Sequence, residues 1–117
     1  MKVYGIDTCQ TFQKALRWLN DNHIKYEKID YRKHPFNVLE IKAIHEKSGL
    51  PIKRFFNTSG KLYQTYQLKE KQKIMSLENI YELLSKEPML IKRPLIVDEE
   101  IIMVGFQKSN YELIWKK

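Results

Sequence analysis

A strand, a helix and a second strand follow one another within about 30 residues of the start, which limits sharply how this chain can begin to fold. Val3 to Ile6 is rich in β-formers and runs into Asp7-Thr8, which is turn chemistry. Apolar residues then recur at Phe12, Ala15, Leu16 and Leu19, with Lys14 and Arg17 on other faces. This is the spacing of an amphipathic helix that ends near Asn20-Asp21-Asn22. Ile24 to Ile29 alternates, with imperfect phase, as a second strand. Two strands joined by a helical crossover run parallel, and the crossover is right-handed.

The middle of the chain reads as helical. Asn37 followed by Glu40 has the pattern of an N-cap with its capping-box partner, and Val38, Ile41 and Ile44 follow at helical spacing up to Ser48-Gly49. Ile52 to Phe56 reads as one short helical turn. Lys61 to Lys73 shows no period and is expected to be irregular, with a short helix around Lys69 to Lys73. Ser76 caps a further helix whose apolar face carries Leu77, Ile80, Tyr81 and Leu84, with Met75 and Ile80 placed as a hydrophobic staple.

Leu95 to Val97 and Ile101 to Val104, separated by Asp98-Glu99-Glu100, form the pattern of an antiparallel hairpin. Ser109 and Glu112 form a second capping-box pair, opening a last helix through Tyr111, Ile114 and Trp115. The expected fold class is therefore α/β, with a mixed four-stranded sheet. It is the layout of a thioredoxin-like fold, with a mainly helical insertion at 36–88 between a βαβ half and a ββα half. At 117 residues and 43% apolar composition, the chain fits one domain over 1–117.

A net charge of +7 attracts anions of any size. The lysines are spread along the whole chain without an arginine-rich block, so a solvated basic surface is expected and direct nucleic-acid binding is not. No apolar run approaches the roughly 18 to 20 residues that span a bilayer, so no membrane partner is expected. One cysteine excludes an internal disulfide framework, and without a secretory leader pattern the expected compartment is the cytoplasm.

That cysteine, Cys9, falls between Thr8 and Gln10 at the strand-to-helix turn. Unsatisfied N–H groups and the positive end of the helix dipole there favour thiolate, which is the nucleophile. A lone cysteine is often only a small packed residue, but its polar neighbours point to a reactive thiol. One helical turn on, where a Cys-x-x-Cys pair has its second thiol, stands Phe12. Any disulfide made by Cys9 is therefore with another molecule.

Arg93-Pro94 is the second candidate site. Only about 5 to 6% of X-Pro bonds are cis, so the dipeptide by itself reads as trans. A guanidinium near Cys9 is suited to hold an oxyanion or stabilise a thiolate. His23, His34 and His45 fall on different predicted elements, with His45 expected on an exposed helix face, and no metal motif is formed. Four glycines provide no phosphate loop.

Taken together, Tyr4-Gly5-Ile6 with Cys9, Lys14-Ala15, Trp18-Leu19, Asp30-Tyr31-Arg32, Phe56-Asn57-Thr58, Lys92-Arg93-Pro94-Leu95-Ile96 and Gly105-Phe106 resemble the arsenate reductase (ArsC) family. Within it, the resemblance is to YffB-type reductase-like proteins and Spx transcriptional regulators. It implies a thioredoxin-like fold, Cys9 as the catalytic cysteine, Arg93 as an oxyanion-binding arginine and Pro94 as a cis-proline facing the cysteine, reversing the expectation for that bond. Asn57 and Phe106 fall where arsenate reductases carry two further arginines. A pocket with one guanidinium in place of three holds a dianion far less well, so Asn57 is left as a substrate-binding candidate and arsenate as a poor substrate.

The resemblance further implies a thiol-dependent reductase acting on a small or oxidised thiol, with no bound cofactor and with glutathione as co-substrate. Glutaredoxin would then be a protein partner. Its alternative is a Spx-like regulator that binds the RNA polymerase alpha subunit. Phe12 removes the Cys-x-x-Cys switch of those regulators but not partner binding.

Overall fold

In a computed structural model that describes residues 1–115, four strands form one mixed sheet in the order β2-β1-β3-β4. β1 (Lys2–Gly5) runs parallel to β2 (Glu27–Asp30) and antiparallel to β3 (Leu95–Val97), which pairs antiparallel with β4 (Ile102–Val104). The helices are α1 (Gln10–Asp21), α2 (Val38–Ser48), α3 (Lys61–Thr65), α4 (Leu68–Lys71), α5 (Leu77–Lys86) and α6 (Lys108–Trp115). Single 3₁₀ turns occur at Ile52–Phe55 and Pro88–Leu90.

Side chains alternate along a strand, so Val3 and its register partner Ile96 face one side of the sheet while Tyr4 and Leu95 face the other. Val3 and Ile96 join Phe12, Ala15, Trp18 and Leu19 of α1 and Tyr111 of α6 in one core. Tyr4 and Leu95 join a larger core with Ile41 of α2, Phe55, Phe56, and Ile80, Tyr81 and Leu84 of α5. The central strands are thus covered on both faces, as mixed α/β sheets require.

Several boundaries differ from those expected. The second strand is Glu27–Asp30, shorter than Ile24 to Ile29. His23 takes a left-handed conformation (φ 58°), and the His23 and Ile24 N–H groups donate to the Asn20 and Leu19 carbonyls. This is a Schellman closure of α1, and it commits Ile24 to the helix end instead of the sheet. The stretch Lys61 to Lys73 holds two short helices, α3 and α4, divided by left-handed Gln67. Helices of four or five residues are too short to show a period.

The Asn37–Glu40 capping box and the Ser76 cap are formed as expected. Leu77 is 47% exposed, because it occupies the first turn of α5 just after the cap, ahead of the turns that reach the core. The Ser109–Glu112 box is not formed: α6 starts at Lys108, and the Gln107 carbonyl accepts from the Asn110 and Tyr111 N–H groups. Ser109 therefore lies within the first turn. His45 is half-buried: one ring nitrogen lies 2.6 Å from the Tyr81 hydroxyl and the other 3.0 Å from the Leu50 carbonyl, tying α2 to α5.

β1 and α1 pack against each other where Gly5 faces the Phe12 ring. A Cβ on Gly5 would lie 2.3 Å from that ring, which is only 1% exposed. Gly5→Ala is therefore expected to destabilise the fold by about 1–3 kcal/mol, as overpacking does. The check is a lower denaturant midpoint at unchanged slope. An unchanged midpoint would mean that the ring has room to yield.

Candidate active site

Cys9 is the N-cap of α1, with extended backbone (φ −87°, ψ 120°), so its side chain lies over the helix start. Its N–H donates to the Ile6 carbonyl at 3.1 Å, and its carbonyl accepts from the Gln13 N–H at 3.1 Å. The Gln13 side chain donates back to the Asp7 carbonyl, and Asp7 pairs with Lys28 of β2 at 3.0 Å. The turn is thus held from the helix and from the neighbouring strand. Cys9 itself is partly exposed and packs at the border of both cores.

Arg93 arrives from the other end of the chain. The register Tyr4↔Leu95 runs antiparallel, so residues just before Leu95 lie beside residues just after Tyr4. Arg93 precedes β3 through a cis peptide bond to Pro94, which is buried. The segment leading to it is anchored on the insertion: Lys92 N–H donates to the Phe55 carbonyl at 2.8 Å, and Asn57 N–H donates to the Leu90 carbonyl at 2.7 Å. Arg93 Nη1 donates to the Tyr31 hydroxyl at 2.8 Å, with longer contacts to the Met89 carbonyl (3.5 Å) and sulfur (4.0 Å).

Two opposed effects act on the Cys9 thiol. Burial pushes its pKa up, while the Arg93 guanidinium beside it, through hydrogen bonding and charge, and the Phe12 and Thr11 N–H groups push it down. The net shift is downward. The thiol makes no cap bond of the geometry a serine would, yet these donors lie at the helix positions that serve an N-cap side chain. Burial likewise opposes the Arg93 charge, but Cys9 and Tyr31 outweigh it and raise the arginine's pKa. Burial, only partly offset by Arg93, pushes the Tyr31 phenol up to about 12.

Of the residues singled out from the sequence, Cys9 and Arg93 come together, and Pro94 lies between Arg93 and β3. Asn57 makes no hydrogen bond to either of them among the described residues. Its side chain accepts from Ser59 Oγ at 3.1 Å within its own turn. Phe106 packs edge-on against Tyr111, with ring centroids 4.8 Å apart. Tyr31 had no role assigned from the sequence. In the sequence it stands only as part of the Asp30-Tyr31-Arg32 segment of the family resemblance, in a polar connection two residues past the expected strand.

A groove of about 550 Å³ along β2 and the start of α2 is lined by Tyr4, Lys28, Asp30, Phe36 and neighbours and does not include Cys9. Its charges are mixed and partly paired, Lys28 with Asp7 among them, so it offers no complement to the thiol chemistry. Cys9, partly buried beside Arg93, lies outside this groove.

The ArsC family's sequence pattern is matched by residues 4–114. The chain belongs to the ArsC family. It is 43% identical to the uncharacterized protein YusI of Bacillus subtilis, over 98% of each chain. A solved structure of an ArsC family related protein from Bacteroides fragilis superposes with a TM-score of 0.91 at 38% identity, covering 97% of each chain. The global transcriptional regulator Spx of Bacillus subtilis is 27% identical over 92% of this chain and 81% of that protein. The solved ArsC-family structure shares the mixed sheet and helices described above, which is the thioredoxin-like fold. No described helix is long and apolar enough to cross a membrane.

The lowered thiol pKa links stability to pH. The unfolded chain, with its thiol near roughly 8.5, binds more protons than the native state in the window below that value. Native stability therefore rises with pH from the folded thiol pKa up to the unfolded one, and is lost again as pH falls through the folded value. Cys9→Ser is expected to remove this rise from a series of denaturant midpoints. The same rise in both proteins would contradict the shift.

Proposed function

We propose that this ArsC-family protein is a thiol-dependent reductase in which Cys9 is the nucleophile and glutathione, or a similar external thiol, completes the turnover. The observation that carries the reading is the meeting of Arg93 with a cysteine placed at the start of α1. Depressing a thiol pKa raises the thiolate fraction near neutrality without abolishing its nucleophilicity.

In the reaction, the Cys9 thiolate attacks the glutathionyl sulfur of a mixed disulfide between the substrate thiol and glutathione. The substrate S–S bond breaks, a mixed disulfide forms on Cys9, and the departing thiolate takes a proton from water. A glutathione thiolate then attacks the glutathionyl sulfur of a Cys9–glutathione disulfide, releasing oxidised glutathione and regenerating the Cys9 thiolate. Two electrons pass from glutathione to substrate. Phe12 stands where an internal resolving thiol would be and is buried against Gly5, so resolution falls to the second molecule. Arg93 stabilises the thiolate as attacking and leaving group, and the segment around the cis Arg93–Pro94 bond shapes the surface on which the substrate docks.

Incubation with oxidised glutathione is expected to add one glutathione to the wild-type protein and none to Cys9→Ser, read by intact mass. Arg93→Ala is expected to slow the addition several-fold near neutral pH. Failure of the wild type to form the adduct would exclude the reading.

A second reading is favoured by the Spx relatives, which are aligned over 92% or more of this chain. In it the same fold serves as a regulator that binds the RNA polymerase alpha subunit. A pull-down with the isolated alpha subunit tests it. Retention independent of Cys9 oxidation would support the regulator, and no retention by either form would exclude it.

A further inference from the structure

We infer that Tyr31 is a positioning residue for Cys9: its buried hydroxyl, held by the Ile91 carbonyl, fixes the Arg93 guanidinium beside the sulfur. The inference rests on the reading of Cys9 as a nucleophile and adds the residue that sets its activator in place.

The polarity of the arrangement is dictated by its chemistry. Tyr31 is fully buried, and its hydroxyl lies 3.0 Å from the Ile91 carbonyl and 2.8 Å from Arg93 Nη1. A carbonyl only accepts, and a guanidinium only donates. The single phenolic proton must therefore go to Ile91, which leaves the oxygen's lone pair aimed at Arg93. The hydroxyl is thus oriented before Arg93 approaches it. The Tyr31 backbone is fixed as well, because its N–H donates to the Gly5 carbonyl at 3.4 Å, continuing the β1–β2 ladder toward the Cys9 turn.

Little else holds the guanidinium. The contacts of Nη1 to Met89 are long, at 3.5 and 4.0 Å, and Nε is buried without a hydrogen-bond partner. An arginine left with two buried, unpartnered donors turns toward water. The Tyr31 hydroxyl is the one short anchor among the described residues that keeps the charge at Cys9 instead. Burial holds the phenol in its neutral form, so the anchor persists across the pH range in which the thiol ionises.

The test is the pH profile of iodoacetamide alkylation of Cys9 in the wild type, Tyr31→Phe, Arg93→Ala and the double variant, with thermal stability measured in parallel. Tyr31→Phe is expected to move the profile upward in pH, in the same direction as Arg93→Ala. It should slow alkylation about threefold or more on the acid side of the thiol's titration. In the Arg93→Ala background it should slow nothing further, since both changes act through one group.

If Arg93→Ala shifts the profile and Tyr31→Phe lowers only stability, Tyr31 is merely structural and the inference is overturned while the reading of Cys9 stands. If the wild-type thiol titrates like a free one, both fail. Should Tyr31→Phe not fold, guanidinium proton resonances of the wild-type protein decide. Separate, slowly exchanging Nη1 signals for Arg93 are expected, and rapidly averaged ones would overturn the inference.

Discussion

The antiparallel pairing of β1 with β3 joins the two ends of the sequence, and the rest of the molecule is arranged around it. Val3 and Ile96 pair across it and are fully buried, so neither strand tolerates a shift in register without exposing one core and jamming the other. The same register that buries these side chains places the residues after Tyr4 beside those before Leu95. The pairing that packs the core thus also brings Arg93 within reach of Cys9. The insertion contributes at one remove, because Phe55 and Asn57 hold the Leu90 to Lys92 segment that delivers Arg93.

At the site, the balance between burial and compensation decides the chemistry. Cys9 borders both cores, and that apolar surrounding taken alone would keep the thiol protonated. The helix start and one guanidinium reverse the sign. Neither donor is free to wander: the helix start is pinned by the Gln13 and Asp7 contacts, and the guanidinium by Tyr31. A single charge suits a sulfur anion, which carries one negative charge. Phe106, edge-on against Tyr111, and Asn57, turned to Ser59, add no second cation for a dianionic substrate.

Much of this was legible in the residues because it depends on local patterns. The helical spacing of Phe12, Ala15 and Leu19, the capping chemistry of Asn37 and Ser76, and the two apolar runs of the hairpin all carry their period on their face. The position of Cys9 at a helix start followed from the same reasoning. What escaped is non-local or too short for periodicity. α3 and α4 are below one clear period, and Ile24 was claimed by the Schellman turn of α1 through the conformation of His23. The two hydrogen bonds of Tyr31 reach Ile91 and Arg93, some 60 positions away, and nothing in the neighbourhood of Tyr31 announces them. The half-burial of His45 is hidden from the sequence for the same reason, since its partner Tyr81 lies on another helix.

The chemistry of the site depends on whether the fold holds the Cys9 sulfur as an anion near neutral pH. Thiolate absorbance in the far ultraviolet, followed against pH with Cys9→Ser as the blank, measures this without any substrate or reagent. A midpoint clearly below the roughly 8.5 of a free thiol is expected. A midpoint at or above that value would show that burial prevails over Arg93 and the helix start, and would contradict the account.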